Sequence, residues 1–489
     1  MKRSLSLALV VASLVAISHP VAQAAESRPN VVIIMTDDQR WDSVTARYMP
    51  QLSSILANNP SVTFTNSFVP NTLCCPSRTS TLTGDYSHTT GVYGNGGQYG
   101  GFPAFTPAPD GNGISPINDT TTIAVDMHQA GYRTALVGKY LNGYNARTSR
   151  YIPPGWDRWF SVPTGAYYHY WAASNFGGPI HNRYFGTTKA DYITRVLTAR
   201  ASTFLQANQA DPFFLYYAAT APHGPATADP RDVDRFNSAG YVQPPSFGAS
   251  SAVDPHYIQD RPWYPSDVKT INQFHAAQLN ATYGVDRSIG QLWNLLPDNT
   301  IVAFMSDNGF SWGEHRWSNK MIPYNEDLRI PMRLVGRNLA SPLSAGTDPR
   351  TVLNIDLLPT LEGMAGVTTS PSRPSAPEGL EMLGSATRSE FVIEHWYQEN
   401  PSGYEGNPPT YCGVRSLDWM FVKYNHSEES NNFGLYDEIN DPYELSNLAS
   451  DPAYAAQLRT MKDLAHTASG DGLCDESATG IYPNDWPYQ

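Results

Sequence analysis

The stretch Val31–Met35, VVIIM, constrains the fold of this chain more than any other. Five consecutive apolar residues do not fit a strand with one wet face. They fit a central parallel strand covered on both sides. Two carboxylates, Asp37 and Asp38, stand just past its C-terminal end. That edge is where open α/β sheets place their ligand sites. The pattern recurs along the chain. Tyr132–Val137 reads as a strand that leads to Lys139, PFFLYYAAT as one that delivers His223, and TIVAFMS as one that ends at Asp307 and Asn308. Helical spacing fills the intervals, near Ile123 to Ala130, Asp191 to Gln206 and residues 268–296.

Adjacent carboxylates repel, and a divalent cation is the usual remedy. Asp37, Asp38, Asp307 and Asn308 offer oxygen alone, from two strand ends. That donor set points to Ca2+ or Mg2+ rather than zinc. Taken alone, Asp37-Asp38 also reads as a solvated acidic turn.

The stretch Cys74–Gly84, CCPSRTSTLTG, reads as a loop entering a helix. Pro76 takes a first helical position and Ser77–Leu82 continue from it. Cys74 then sits at the N-terminal edge, beside unpaired N–H groups that favour an anion and lower a thiol pKa. Arg78 adds a guanidinium fork suited to sulfate or phosphate oxygens. On local physics alone the plain alternative stands: a vicinal cysteine pair in a loop, with Arg78 in a surface ion pair.

The same stretch resembles the signature of the sulfatase family, C-x-P-S-R-x-x-x-L-T-G. Cys74, Pro76, Ser77, Arg78, Leu82, Thr83 and Gly84 match, and Cys75 fills the free second position. The resemblance implies an alkaline-phosphatase-like α/β fold. Its parts are a large, mixed, mostly parallel central sheet flanked by helices, and a smaller C-terminal antiparallel-sheet subdomain. It implies that a formylglycine-generating enzyme oxidises Cys74 to formylglycine, the nucleophile once hydrated, with Arg78 holding that group near the metal. It implies one divalent cation, Ca2+ before Mg2+, held by Asp37, Asp38, Asp307, Asn308 and the modified Cys74. Lys139, in Gly138-Lys139, and Lys320 match the family's sulfate-binding lysines. His223 matches a histidine that contacts the sulfate ester and protonates the leaving oxygen. Tyr324 and Glu326 match the pattern around Lys320 as framework. One departure is visible: many sulfatases carry a histidine two residues after the first lysine, where this chain has Leu141, then Asn142. Asn142 is carried over as a substrate contact.

GKYLNGY and PPGWDRWF resemble the branch that acts on glucosamine 6-sulfate groups. The expected reaction is therefore hydrolysis of a 6-O-sulfate on a glucosamine-type sugar. The alternatives are a broad arylsulfatase, a phosphonate or phosphate monoester hydrolase of the same superfamily, and a non-catalytic carbohydrate-binding protein.

Composition serves mainly to exclude. A net charge of −13, from 32 basic and 45 acidic residues with no basic run, argues against a nucleic-acid partner. The 29 Tyr and 11 Trp argue against disorder and offer rings for sugar faces. Residues 1–24 read as a signal peptide: Lys2 and Arg3, then LSLALVVASLVAI, then Ala22-Gln23-Ala24. The apolar centre is shorter than the ~20 residues of a membrane span. The expectation is an exported protein, secreted or periplasmic, without a stable membrane anchor. Residues 25–370 read as the catalytic domain, 370–378 as a Pro/Ser-rich junction and 379–489 as a C-terminal subdomain. Export also lets Cys412 and Cys474 close a disulfide, with two buried free thiols as the alternative.

Overall fold

Every residue of the first strand, β1 (Asn30–Thr36), is buried in the computed structural model, which describes residues 28–339, 343–396, 408–425 and 433–469. Nine further strands complete its sheet: β2 (Ser61–Phe68), β3 (Arg133–Lys139), β4 (Arg158–Val162), β5 (Tyr170–Ser174), β6 (His181–Phe185), β7 (Phe213–Ala218), β8 (Thr300–Ser306), β9 (Met332–Arg337) and β10 (Gly346–Leu353). Their order is β10-β2-β9-β8-β1-β7-β3-β4-β5-β6. β1 runs parallel to both β7 and β8, and β3 runs parallel to β7 and β4. β9 is antiparallel to its two neighbours, which makes the sheet mixed.

Alternation along β1 explains why its apolar run is unbroken. Val31, Ile33 and Met35 belong to one core, with residues of the helices Ile123–Gln129 and Leu357–Ala365. Val32 and Ile34 belong to the opposite core, with residues of the helices Pro50–Asn58, Ile193–Ala207 and Pro265–Trp293. Burying each such side chain contributes about 1.5–3 kcal/mol. A polar residue at any of these positions would face one apolar core or the other.

Register sets the site. Thr36 pairs with Ser306, Met35 with Ala218, and Gly138 with Ala218. The C-terminal ends of β8, β1, β7 and β3 therefore lie side by side along one edge. The residues that follow them are those singled out from the sequence.

The second sheet is antiparallel, with four strands: β11 (Glu390–His395), β12 (Thr410–Ser416), β13 (Trp419–Asn425) and β14 (Phe433–Asp437). Phe391 and Ile393 face a core shared with Trp317, Tyr324 and Leu328 of the main domain. Val392, between them, faces the terminal helix Ala455–Ala468. The small sheet is thus fastened to the segment that follows β8.

One expectation changes. The motif helix spans Cys74–Thr83, so it starts two residues before Pro76, and Leu73 is its N-cap. Proline is tolerated at the third helical position because the first four N–H groups need no intrahelical partner. Residues 153–157 of PPGWDRWF form a turn that leads into β4, and β5 follows at Tyr170–Ser174. Trp156 and Trp159 are core residues, and Trp156 stacks on Phe214 at 5.6 Å. These two rings are not available to a sugar. Among the described residues no helix is long and apolar enough to cross a membrane. The expected signal peptide lies outside the described residues. Cys412 is buried and disulfide-bonded, and Cys474 lies outside the described residues.

Candidate active site

All ten residues of the helix Cys74–Thr83 are buried, although six of them are Ser, Thr or Arg. The hydroxyls are largely satisfied within the helix. Thr79, Thr81 and Thr83 donate back to the carbonyls of Cys75, Ser77 and Thr79 at 2.8–2.9 Å. Asn354 clamps the outside, donating to the Ser77 carbonyl at 3.0 Å and to Thr81 Oγ1 at 3.1 Å. Gly84 ends the helix with φ 77°, and its N–H donates to the Ser80 carbonyl at 2.8 Å. That left-handed cap strains any residue with a side chain.

At the sheet edge, Asp37, Asp38 and Asp307 each bring a carboxylate oxygen within 4.8 Å of the others. Asp38 adopts φ 62°, a turn that directs it to the same centre as Asp37. The Asp38 N–H donates to Asp307 Oδ1 at 3.0 Å. Asn308 Nδ2 donates to Asp38 Oδ1 at 2.8 Å, and Asn308 Oδ1, buried, has no hydrogen-bond partner among the described residues. Three converging carboxylates and an orphaned amide oxygen fit a hard divalent cation.

Cations close the shell. Lys139 Nζ lies 2.7 Å from Asp37 Oδ2 and 4.0 Å from Asp307 Oδ2. Gly138 lets it get there: a Cβ at that position would stand 1.8 Å from the Ala218 carbonyl oxygen of β7. Lys320 Nζ donates to Asp38 Oδ1 and lies 2.7 Å from Cys74 Sγ. The Cys74 thiol in turn faces Asp37 Oδ1 at 3.6 Å. His223 Nε2 lies 3.7 Å from Asp38 Oδ2. Its Nδ1 is 2.8 Å from the Gly224 carbonyl, so Nδ1 carries the proton of the neutral ring and Nε2 faces the site.

Arg78 is fully buried, so the surface ion pair is excluded. Its Nε donates to Asp307 Oδ2 at 2.8 Å and its Nη1 to the Lys139 carbonyl at 3.2 Å. Nη2 lies 3.8 Å from Asp37 Oδ2 and makes no hydrogen bond among the described residues. Most of the fork therefore organises the carboxylates instead of standing open to an anion.

Electrostatics follow from this packing. Burial alone would push Asp37 up, but Lys139, His223 and Arg78 outweigh it and hold the carboxyl down at about 2. Asp38 is lowered against its own burial by Lys320 and His223. Lys139 and Lys320 are raised against burial by Asp37 and Asp38 respectively. The thiol runs opposite to expectation. Burial pushes Cys74 up to about 12, and the pull of Lys139 and Lys320 does not offset it. The helix terminus does not make a thiolate here, because the group has lost water on every side.

Asn142 lies beside this group, not in it. Its N–H donates to Cys75 Sγ at 3.1 Å, and its Oδ1 accepts from Thr164 at 3.0 Å. Three positioning residues carried no sequence signal. Asn95 accepts from the Cys75 N–H at 2.9 Å, Tyr167 donates to the His223 carbonyl at 2.7 Å, and Asn354 clamps the helix. Each is a common residue type in an irregular segment or a strand end, and only the fold brings it near.

Family comparison decides the lineage. The model of the sulfatase family matches residues 29–367. This chain belongs to the sulfatase family. A second family model, N-sulphoglucosamine sulphohydrolase, C-terminal, matches residues 313–469 of this sulfatase. It is 30% identical over 73% of its length to a putative extracellular sulfatase Sulf-1 homolog of Caenorhabditis elegans, and spans 49% of that relative. It is 26% identical over 92% of its length to N-acetylglucosamine-6-sulfatase of Capra hircus, covering 85% of it. A solved protein in complex with its substrate D-glucosamine-2-N,6-O-disulfate superposes with a TM-score of 0.74 at 22% identity, covering 92% of this chain and all of that one. At that identity the likeness speaks for the fold.

Proposed function

We propose that this sulfatase hydrolyses sulfate monoesters, and that its substrate is a 6-O-sulfated glucosamine-type sugar. The observation that carries the reaction is the convergence of Cys74, Lys139, Lys320 and His223 on three carboxylates at one sheet edge. Relatives named N-acetylglucosamine-6-sulfatase support the substrate class. The wording GKYLNGY and PPGWDRWF supports it as well.

A sulfate ester resists attack because its oxygens repel the nucleophile and its alcohol is a poor leaving group. Hydrolysis needs charge neutralised, a nucleophile in line and a proton for the leaving oxygen. Lys139, on Asp37, and Lys320, beside Cys74, supply fixed positive charge. Asp37, Asp38, Asp307 and Asn308 would hold a Ca2+ or Mg2+ ion, whose chemistry there is to neutralise sulfate oxygens. His223 presents Nε2 to the site, and as the imidazolium, with a proton on each nitrogen, it can give the Nε2 proton to the departing alcohol. Cys74, held as a neutral thiol, is a weak nucleophile. Its oxidation to formylglycine by a maturation enzyme would supply a hydrated aldehyde: one hydroxyl can attack sulfur, and the second permits expulsion of sulfate with return of the aldehyde. Residues 1–24 would export the chain.

The test is kcat/KM on glucosamine 6-sulfate, N-acetylglucosamine 6-sulfate, an aryl sulfate and a matched phosphonate monoester. Preference for a 6-sulfated sugar is expected. An aryl sulfate ahead by several orders of magnitude would remove the sugar assignment and leave the sulfatase. A phosphonate ahead of every sulfate would remove both.

A further inference from the structure

A second set of candidate ligands lies where the C-terminal sheet meets the main domain. A ring nitrogen of His315 and one carboxylate oxygen each of Glu326 and Glu444 lie within 4.8 Å of one another. His315 and Glu326 come from the segment between β8 and β9, and Glu444 from the turns after β14. They are 2%, 7% and 1% exposed. His315 Nε2, Glu326 Oε2 and Glu444 Oε1 have no hydrogen-bond partner among the described residues. Buried polar atoms are almost always partnered, so three orphans in one spot call for an occupant.

The remaining contacts of these side chains hold them in place. Glu444 Oε2 accepts from the Asn325 N–H at 3.0 Å. Glu326 Oε1 lies 3.5 Å from Ser246 Oγ. The His315 ring stacks on Tyr324, 3.8 Å between centroids and 10° between planes. The ring is also hydrogen-bonded to the Tyr443 backbone, while burial pushes it down to about 3 and keeps it neutral. A neutral imidazole anchored through one nitrogen, with the other bare, is the usual habit of a metal ligand.

Charge points the same way. Arg415 pairs with Glu438 and lies 3.7 Å from Glu444. Glu314 is taken by Arg40. Arg329 is turned to the Thr65 carbonyl at 2.8 Å and the Trp41 ring at 3.9 Å. Among the described residues Arg415 pairs with Glu438 and Glu444, and Glu326 forms no ion pair, so this spot is rich in carboxylates for its cations.

We propose that His315, Glu326 and Glu444 bind a second metal ion, a divalent transition ion with zinc as the first candidate. One imidazole and two carboxylates suit zinc, whereas the oxygen-only set at the sheet edge suits an alkaline earth. Zinc bonds of about 2.0–2.2 Å require the ligand atoms to draw closer than they stand here. The ion would join the C-terminal sheet to the loop that carries Lys320, since His315 and Lys320 share that loop. Without a metal, burial raises both carboxyls, Glu326 to about 7 and Glu444 well above its usual range.

The experiment separates metal from protons. Full-length protein carrying Cys74→Ala, which removes the thiol at the sheet edge, is loaded with zinc chloride and calcium chloride and dialysed. Metal content is then read by mass spectrometry. About one zinc per chain is expected beside the alkaline earth. Glu444→Gln and His315→Gln should each weaken zinc binding by roughly ten- to a hundredfold or more and leave calcium unchanged. Asp37→Asn should do the reverse. If a variant fails to fold, cobalt replaces it as the probe: Co2+ added to the Cys74→Ala protein should give the visible absorption of a tetrahedral site. Folded protein that retains no zinc and shows no cobalt spectrum overturns the site. Zinc binding left unchanged by both Glu444→Gln and His315→Gln overturns it as well.

Discussion

Arg78 Nε lies 2.8 Å from Asp307 Oδ2, across 229 residues of sequence and out of reach of solvent. The same guanidinium reaches the Lys139 carbonyl, so one side chain ties the motif helix to the ends of β8 and β3. Removing one partner of a buried pair leaves the other charge uncompensated, which costs about 3–5 kcal/mol. Arg78→Ala should lose stability of that order in urea unfolding. Arg78→Lys should recover little, because an ammonium cannot serve the carboxylate and the carbonyl together. A loss below about 1 kcal/mol for Arg78→Ala would place the pair with surface bridges and refute its anchoring role.

Cys74 and Cys75 should part company. Both are buried thiols, pushed up by burial to about 12 and 11 respectively. Only Cys74 faces Lys320 and Asp37, whereas Cys75 accepts from the Asn142 N–H. The peptide with Cys74, from protein made in its own host, should be lighter than the thiol form by ~18 Da, sulfur and two hydrogens exchanged for oxygen. Cys74→Ala should abolish turnover. Cys75→Ala should keep much of it. A fully active enzyme with an intact Cys74 thiol would end this reading.

The oxygen donors at the sheet edge should hold an alkaline-earth ion. Chelation should remove activity, and added Ca2+ or Mg2+ should restore it. Asn308→Ala deletes the orphaned Oδ1 and should weaken restoration by calcium without unfolding the chain, read by titrating activity against calcium. Full activity after exhaustive chelation, with no alkaline earth left in the protein, would contradict it.

Much of this centre is legible in the amino-acid sequence. Asp37, Lys139, His223 and Asp307 each follow a strand that announces itself by apolar content, and parallel strands bring like ends to one edge. What the sequence hides is whatever depends on burial by distant residues. The thiol of Cys74 looks acidic beside a helix terminus, yet desolvation governs it. The fork of Arg78 looks ready for an anion, yet Asp307 lies against it. Trp156 and Trp159 lie in a stretch that resembles the sugar-acting branch and reads equally as packing, and burial shows that these two rings pack, since a large ring serves either end equally well. Asn354 and Asn95 give no sign, because their partners lie in other segments.

A buried carboxyl pair behind the motif helix should make stability fall as pH rises. Asp126, on the helix Ile123–Gln129, and Glu362, on the helix Leu357–Ala365, are 1% and 3% exposed. Ser370 N–H donates to Asp126 Oδ1 at 3.0 Å, and Thr369 Oγ1 donates to Glu362 Oε2 at 2.6 Å. The other oxygens, Asp126 Oδ2 and Glu362 Oε1, find no donor among the described residues, and the two carboxyls interact directly. A proton shared between them would satisfy both. Burial first, and Asp126 second, raise Glu362 to about 8. An unfolded glutamate ionises near ~4.3. Between those values the folded protein holds a proton that the unfolded chain has released, so stability is lost as pH climbs through the window. Thermal melts should show the wild-type midpoint lower at pH 8.5 than at pH 6, by about 2–5 °C. Glu362→Gln supplies a permanent donor in place of the proton and should flatten that dependence. A wild-type midpoint that holds or rises over the range, or an equal fall in Glu362→Gln, would show that no proton is shared there.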